Sequence, residues 1–238
     1  MKRWMQSLFI KDIRKAIDQY QMIPPKSRVL VGVSGGKDSA ILFYALSLLS
    51  RNKIYDFQVT GLLVDHGLLS EMAPFLTFCE KESLNLMVHT EHYAKSLSHE
   101  AEFAPCYTCS RMRKGILKRY ALEHGYDRIA FGHTQDDIVE TFMMNIIQHG
   151  KIATMPPVLE DDTSSLKMIR PLIFVKEEAI ITSVKQLEIP LMRDICTFSQ
   201  NRLRSHAESL IQGIELTTPE FSDRVVQALQ NIDLKRLL

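Results

Sequence analysis

Apolar positions in this chain fall into short β-branched runs separated by longer stretches of helical period. Val29–Val33, Val59–Val64, Leu86–His89 and Arg128–Phe131 have the length and composition of strands. The pattern around them predicts helices over Asp12–Gln21, Ser39–Leu49, Pro74–Ser83, Ser110–His124, Asp137–Gln148, Lys176–Leu187, Gln200–Ile211 and Pro219–Ile232. Pro24-Pro25, Gly125 and Gly150 act as stops. A fifth strand is expected over Met168–Phe174, interrupted at Pro171, and "PPVLEDDTSSLK" reads as a surface loop or hairpin. Strands that alternate with helices predict an α/β fold: a doubly wound, mostly parallel sheet covered on both faces. A short helical C-terminal extension follows, and the division is expected near residue 190, giving segments 1–190 and 191–238.

Composition narrows the class. The chain has 238 residues, 45% of them hydrophobic, and charges that nearly cancel at +1. A core of useful size is therefore feasible, and a uniformly basic coat is excluded, although a local basic patch is not. The N-terminal stretch has charges scattered through it, and no run reaches membrane-spanning length, so a cytoplasmic protein without membrane association is expected. Its four cysteines are then expected to be reduced.

Between the first strand and its helix lie Ser34, Gly35, Gly36, Lys37, Asp38 and Ser39. Adjacent glycines let consecutive N–H groups point into one concavity, and the helix start adds its positive end. Lys37 adds a mobile charge, and Ser34 and Ser39 add hydroxyls. The common nucleoside triphosphatase loop has a different glycine spacing and Ser or Thr directly after its Lys. Here Asp38 follows Lys37, which suits a Mg²⁺ ion between carboxylate and phosphates. Asp65 ends the second strand, and Gly132, His133, Asp136 and Asp137 follow the fourth, where ligands of doubly wound folds bind. Asp136 and Asp137 are each a Mg²⁺ ligand or a helix cap, and His133 either polarises a phosphate or caps a loop.

"SGGKDS" resembles the pyrophosphate loop of the ATP pyrophosphatase (PP-loop) superfamily, with its adenine nucleotide α-hydrolase-like fold. The resemblance implies ATP and Mg²⁺ as cofactors, cleavage between the α and β phosphates, and adenylylation of a substrate oxygen. It implies catalytic roles for Lys37, Asp38 and Asp136.

Cys106 and Cys109 form a C-x-x-C before a basic helix, Cys196 lies far downstream, and Cys79 reads as a buried, inert thiol. Redox dithiol, zinc and iron–sulfur ligation all suit the pair by spacing alone. The stretch from "CYTCSRMRKG" to "GHTQDD", followed by "HGKIATMPP" and "IRPL", is similar to the tRNA 2-thiocytidine synthetases from about Asp12 to about Phe174. That resemblance implies a [4Fe-4S] cluster on Cys106, Cys109 and Cys196, a tRNA substrate, and a cysteine desulfurase or other sulfur donor as partner. Well-known members carry a second C-x-x-C where this chain has Cys196 alone. A homodimer is compatible with the pattern. "VDHG" also resembles lysidine synthetases, which lack the cysteines, so an amine-ligating enzyme is one rival. A non-catalytic nucleotide binder with structural zinc is another.

Arg111, Arg113, Lys114, Lys118 and Arg119 crowd one helix. They read either as a solvated face or as a patch for RNA phosphates, with Arg111, Arg113, Lys114 and Lys118 as the RNA contacts and Arg202 and Arg204 extending it.

Overall fold

The computed structural model describes residues 9–53, 55–93, 105–194 and 202–236. Its elements, in order, are α1 (Ile10–Gln19), β1 (Ser27–Val33), α2 (Lys37–Arg51), β2 (Phe57–Asp65), β3 (Leu69–Ser70), α3 (Met72–Lys81), β4 (Leu86–Thr90), α4 (Pro105–Glu123), β5 (Arg128–Ala130), α5 (Gln135–His149), β6 (Val158–Glu160), β7 (Lys167–Ile169), α6 (Glu177–Gln186), β8 (Arg193–Asp194), α7 (Arg202–Thr217) and α8 (Phe221–Gln230). A 3-10 turn over Leu234–Arg236 ends the described chain.

Six strands form one sheet in the order β4-β2-β1-β5-β7-β6. Every pairing is parallel except β6 with β7, which is antiparallel. The chain therefore winds outward from β1 to β2 and β4, then crosses to the other side of β1 for β5 and β7. The order reverses at the β1/β5 boundary, and crevices at such reversals hold ligands beyond the strand C-termini.

Strand alternation splits the core between the two faces. Val29, Val31 and Val33 of β1, with Leu63 and Ala130, join a large cluster with α1, α2 and α6. Leu30, Leu62, Val64 and Ile129 point the other way, toward Ile116, Leu117 and Ala121 of α4. α2 is buried nearly all round, because β1 and β2 lie on one side of it and α6 on the other. A Cβ on Gly61 would stand 2.8 Å from the Phe43 ring, so glycine there permits the close approach of α2 to β2.

Two sequence expectations change, and a choice between two forms is decided. The fifth strand is short: β7 ends at Ile169, and the chain turns at Pro171, which cannot donate to a ladder. "PPVLEDDTSSLK" is the β6–β7 hairpin, of the two forms considered. The helix carrying the C-x-x-C begins at Pro105, so Cys106 and Cys109 lie in its first turns rather than before it. Proline fits this position, where the missing N–H is not needed.

Candidate functional site

The loop after β1 has the shape of an anion cradle. Gly35 takes φ +89°, and its carbonyl accepts a hydrogen bond from Met192 N–H at 3.1 Å. A side chain on Gly35 would be strained and would stand 2.9 Å from Met192 Cβ. Ser39 Oγ accepts from Ser34 N–H at 3.1 Å, lies 3.1 Å from Ser34 Oγ and donates to the Gly36 carbonyl at 3.0 Å. The two hydroxyls thereby close the loop at the N-terminus of α2.

Lys37 and Asp38 follow on the first turn of α2. Lys37 Nζ contacts Asp38 Oδ2 at 3.2 Å and Glu177 Oε1 at 2.5 Å. Burial works against the Lys37 ammonium, but Glu177 and Asp38 outweigh it, so its pKa lies above the ordinary lysine value. Burial raises the Asp38 carboxyl, opposed by Lys37. Asp38 Oδ1 is buried with no hydrogen-bond partner among the described residues. A bare carboxylate oxygen beside an anion cradle fits Mg²⁺, which binds through one or two carboxylates plus phosphates.

The loop after β5 packs directly on this turn. A Cβ on Gly132 would stand 2.9 Å from the Asp38 carbonyl carbon and 3.0 Å from Ser39 N. Asp136 Oδ2 accepts from Glu177 N–H at 2.7 Å, and burial raises its pKa against that bond. Asp137 completes a capping box with Thr134: its Oδ2 accepts from Thr134 N–H at 2.7 Å, and Thr134 Oγ1 accepts from Asp137 N–H at 3.3 Å. Its other oxygen pairs with Arg204. The cap reading of Asp137 is thus the one the contacts fill. Burial, with the Arg170 guanidinium next in effect, pushes the His133 imidazole down to about 4, so this ring is neutral near pH 7. Asp65 lies at the end of β2, where its Oδ1 accepts from Gly67 N–H at 2.9 Å and its Oδ2 lies 3.6 Å from His92 Nε2.

The cysteine segment reaches the same edge. Cys109 Sγ lies 3.7 Å from both Tyr93 Oη and Arg113 Nη2. The Tyr93 ring in turn lies 6.1 Å from the His66 ring, directly after Asp65. Cys106 is exposed, and Cys79 is buried with its thiol pushed up to about 12, as an inert thiol would be. Cys196 lies outside the described residues, but the chain on both sides of it is anchored at this site. Before it, Met192 binds Gly35, and β8 pairs antiparallel with β3. After it, Arg204 of α7 reaches Asp137 and lies 2.6 Å from Glu140. Among the described residues no three His, Cys, Asp or Glu side chains are grouped closely enough to hold a metal by themselves.

The basic helix divides. Arg111 is exposed, with its guanidinium 5.7 Å from the Tyr107 ring centre, and Lys114 is also exposed. Arg113 instead turns inward to Cys109, and Lys118 is held by Asp161 at 2.7 Å and Thr163 at 2.8 Å. Arg119 pairs with Glu91 at 3.0 Å. Arg204, which the sequence suggests for a basic patch, is spent on two carboxylates of α5. Sequence reasoning missed Glu177 as the partner of Lys37 and Arg170 as the buried neighbour of His133; both contacts join segments far apart in the chain, so no local signal marks them.

The PP-loop domain family matches residues 5–208. A tRNA-cytidine(32) 2-sulfurtransferase from Coxiella burnetii (strain CbuG_Q212) is 30% identical, over 98% of this chain and 93% of its own length. The protein of that name from Legionella pneumophila (strain Philadelphia 1) is 33% identical, over 94% of this chain and 81% of its own. Among solved structures, the U34-tRNA thiolase NcsA from Methanococcus maripaludis with its [4Fe-4S] cluster shares the fold, with a TM-score of 0.75, 22% identity, and coverage of 96% of this chain and 79% of that one.

Proposed function

Because the chain belongs to the PP-loop domain family and, within it, to the tRNA 2-thiocytidine synthetase group, we propose that it is an ATP-dependent tRNA sulfurtransferase acting on a cytidine of the anticodon loop. The observation that supports this best is the meeting of three segments at one sheet edge: the Gly35 loop, the Gly132–Asp137 loop, and both flanks of the Cys196 segment.

The chain's own residues divide the work. The N–H groups around Gly35 and Gly36, with the hydroxyls of Ser34 and Ser39, bind the β and γ phosphates. Asp38 Oδ1 takes Mg²⁺, with Asp136 as the second candidate ligand, and Lys37 offsets the charge that grows on the departing pyrophosphate. The unstacked base presents its C2 carbonyl oxygen to the α-phosphate; the O–P bond forms as the bond to pyrophosphate breaks. A sulfur nucleophile, delivered by a cysteine desulfurase or other donor, then adds at C2, and AMP leaves with the former carbonyl oxygen. Cys106, Cys109 and Cys196 fit a [4Fe-4S] cluster: two are placed in the first turns of α4, Cys109 has N–H and O–H groups near its sulfur, and the described residues on either side of the third, Met192 and Arg204, contact Gly35 and Asp137. When bound, such a cluster with three protein ligands supplies an open iron for sulfur. Arg111 and Lys114 guide RNA toward this edge.

Product analysis tests the reading. ATP turnover should give AMP and pyrophosphate, should need RNA, and should vanish in Lys37→Ala and Asp38→Ala while the fold persists. ADP and inorganic phosphate as products would contradict it.

A further inference from the structure

Glu177 stands at the N-terminus of α6, outside the stretches that carry the family resemblance, yet its carboxylate meets the loop lysine. Glu177 Oε1 lies 2.5 Å from Lys37 Nζ, while Glu177 N–H donates to Asp136 Oδ2 at 2.7 Å. The backbone of Glu177 is therefore fixed on one acidic residue of the site, and its side chain is aimed at the cation. Asp38 and Glu177 take two of the three ammonium donors, so a pyrophosphate that uses more than the one left must displace a carboxylate, and the Glu177 charge opposes an anion at the same nitrogen.

We propose that Glu177 is an internal competitor for pyrophosphate: its carboxylate takes the Lys37 ammonium when no β-phosphate is present and so favours release of the product. The inference rests on the nucleotide reading given above. Three features of the site agree with it. Both partners remain partly solvent-accessible, at 28% for the Lys37 side chain and 45% for Glu177, so a ligand can reach and replace the contact. Asp38 stays on Lys37 at 3.2 Å from the same helix turn, so the lysine keeps its position when Glu177 lets go. Asp38 Oδ1 is bare beside the pair, whereas Glu177 Oε1 is already engaged, which gives the metal to Asp38 and the lysine to Glu177.

A partly exposed ion pair is worth up to about 1 kcal/mol, so losing this competitor should tighten pyrophosphate by about three- to fivefold. Calorimetric titration of the full chain with magnesium pyrophosphate tests this on wild type, Glu177→Gln and Glu178→Gln. Glutamine keeps the backbone bond to Asp136. Glu178 is an exposed neighbour and removes the same charge one residue further on. The expected result is tighter pyrophosphate binding in Glu177→Gln, AMP affinity unchanged, and Glu178→Gln within about twofold of wild type. Unchanged or weaker binding in Glu177→Gln overturns the inference, as does equal tightening in Glu178→Gln, which would reduce the effect to net charge. Failure of all three proteins to bind pyrophosphate would instead bring down the nucleotide reading itself, and the inference with it.

Discussion

Gly132 presses its Cα face onto the backbone of Asp38: any Cβ there would stand 2.9 Å from the Asp38 carbonyl carbon. This close approach locks the loop after β5 against the phosphate loop after β1, with no flexible side chain between them to yield. Gly132→Ala should therefore displace the first turn of α2. We expect a loss of about 1–3 kcal/mol in denaturant unfolding, typical of an overpacked site, and at least about tenfold weaker ATP binding. Unfolding curves and nucleotide titrations on the same protein check both parts.

Arg204 couples the helix after Cys196 to the helix that starts at the nucleotide site. Its partners Asp137 and Glu140 are mostly buried, at 14% and 13% exposure, so removing the guanidinium leaves two carboxylates poorly solvated. Arg204→Met should cost about 1–3 kcal/mol and raise amide exchange over 202–217 before it raises exchange in β1 or β2. Hydrogen exchange read by mass spectrometry separates these regions.

Lys118 and Arg111 share a helix but should behave differently. Lys118 is occupied by Asp161 and Thr163 of the β6–β7 hairpin, whereas Arg111 and Lys114 are exposed. Reversing the charge of Arg111 and Lys114 together should weaken tRNA binding and flatten its salt dependence by about one to two released counterions, with nucleotide binding intact. Lys118→Ala should leave the slope unchanged. Titrations at several salt concentrations decide it.

His133 gives the fold a pH dependence of defined sign. Its folded value of about 4 lies below the ordinary 6.5, chiefly because the ring is desolvated. The unfolded chain therefore binds the proton more readily. The neutral ring's contribution is present in full above about pH 6.5 and declines as the pH falls toward 4, by at most about 1.4 kcal/mol per unit. Replacing His133 with Gln should remove that part of the slope in stability measured from pH 7 to pH 4.

Much of this was legible along the chain. The β-branched run Val29–Val33 and the glycines after it fixed the central strand and the cradle, because both depend on local preference and short spacing. The short β7 was less legible, since only Pro171 marked its end, and the two-residue pair β3–β8 left no pattern at all. Charge was the least legible. Five cations in nine residues suggest one surface, but the fold sends Arg113 to Cys109, Lys118 to Asp161 and Arg119 to Glu91. Which cation is drawn into a pair depends on the carboxylates and thiol that the fold brings beside it, most of them from distant segments, and periodicity carries no information about those.

Nucleoside mass spectrometry of total tRNA tests the proposed activity most directly. A host lacking this protein should lose 2-thiocytidine from its tRNA. The wild-type chain should restore it, while Lys37→Ala and Cys109→Ala should not. If every thiolated nucleoside stays at its wild-type level in the deletion host, the chain does not thiolate tRNA, and its adenylylation chemistry serves another acceptor.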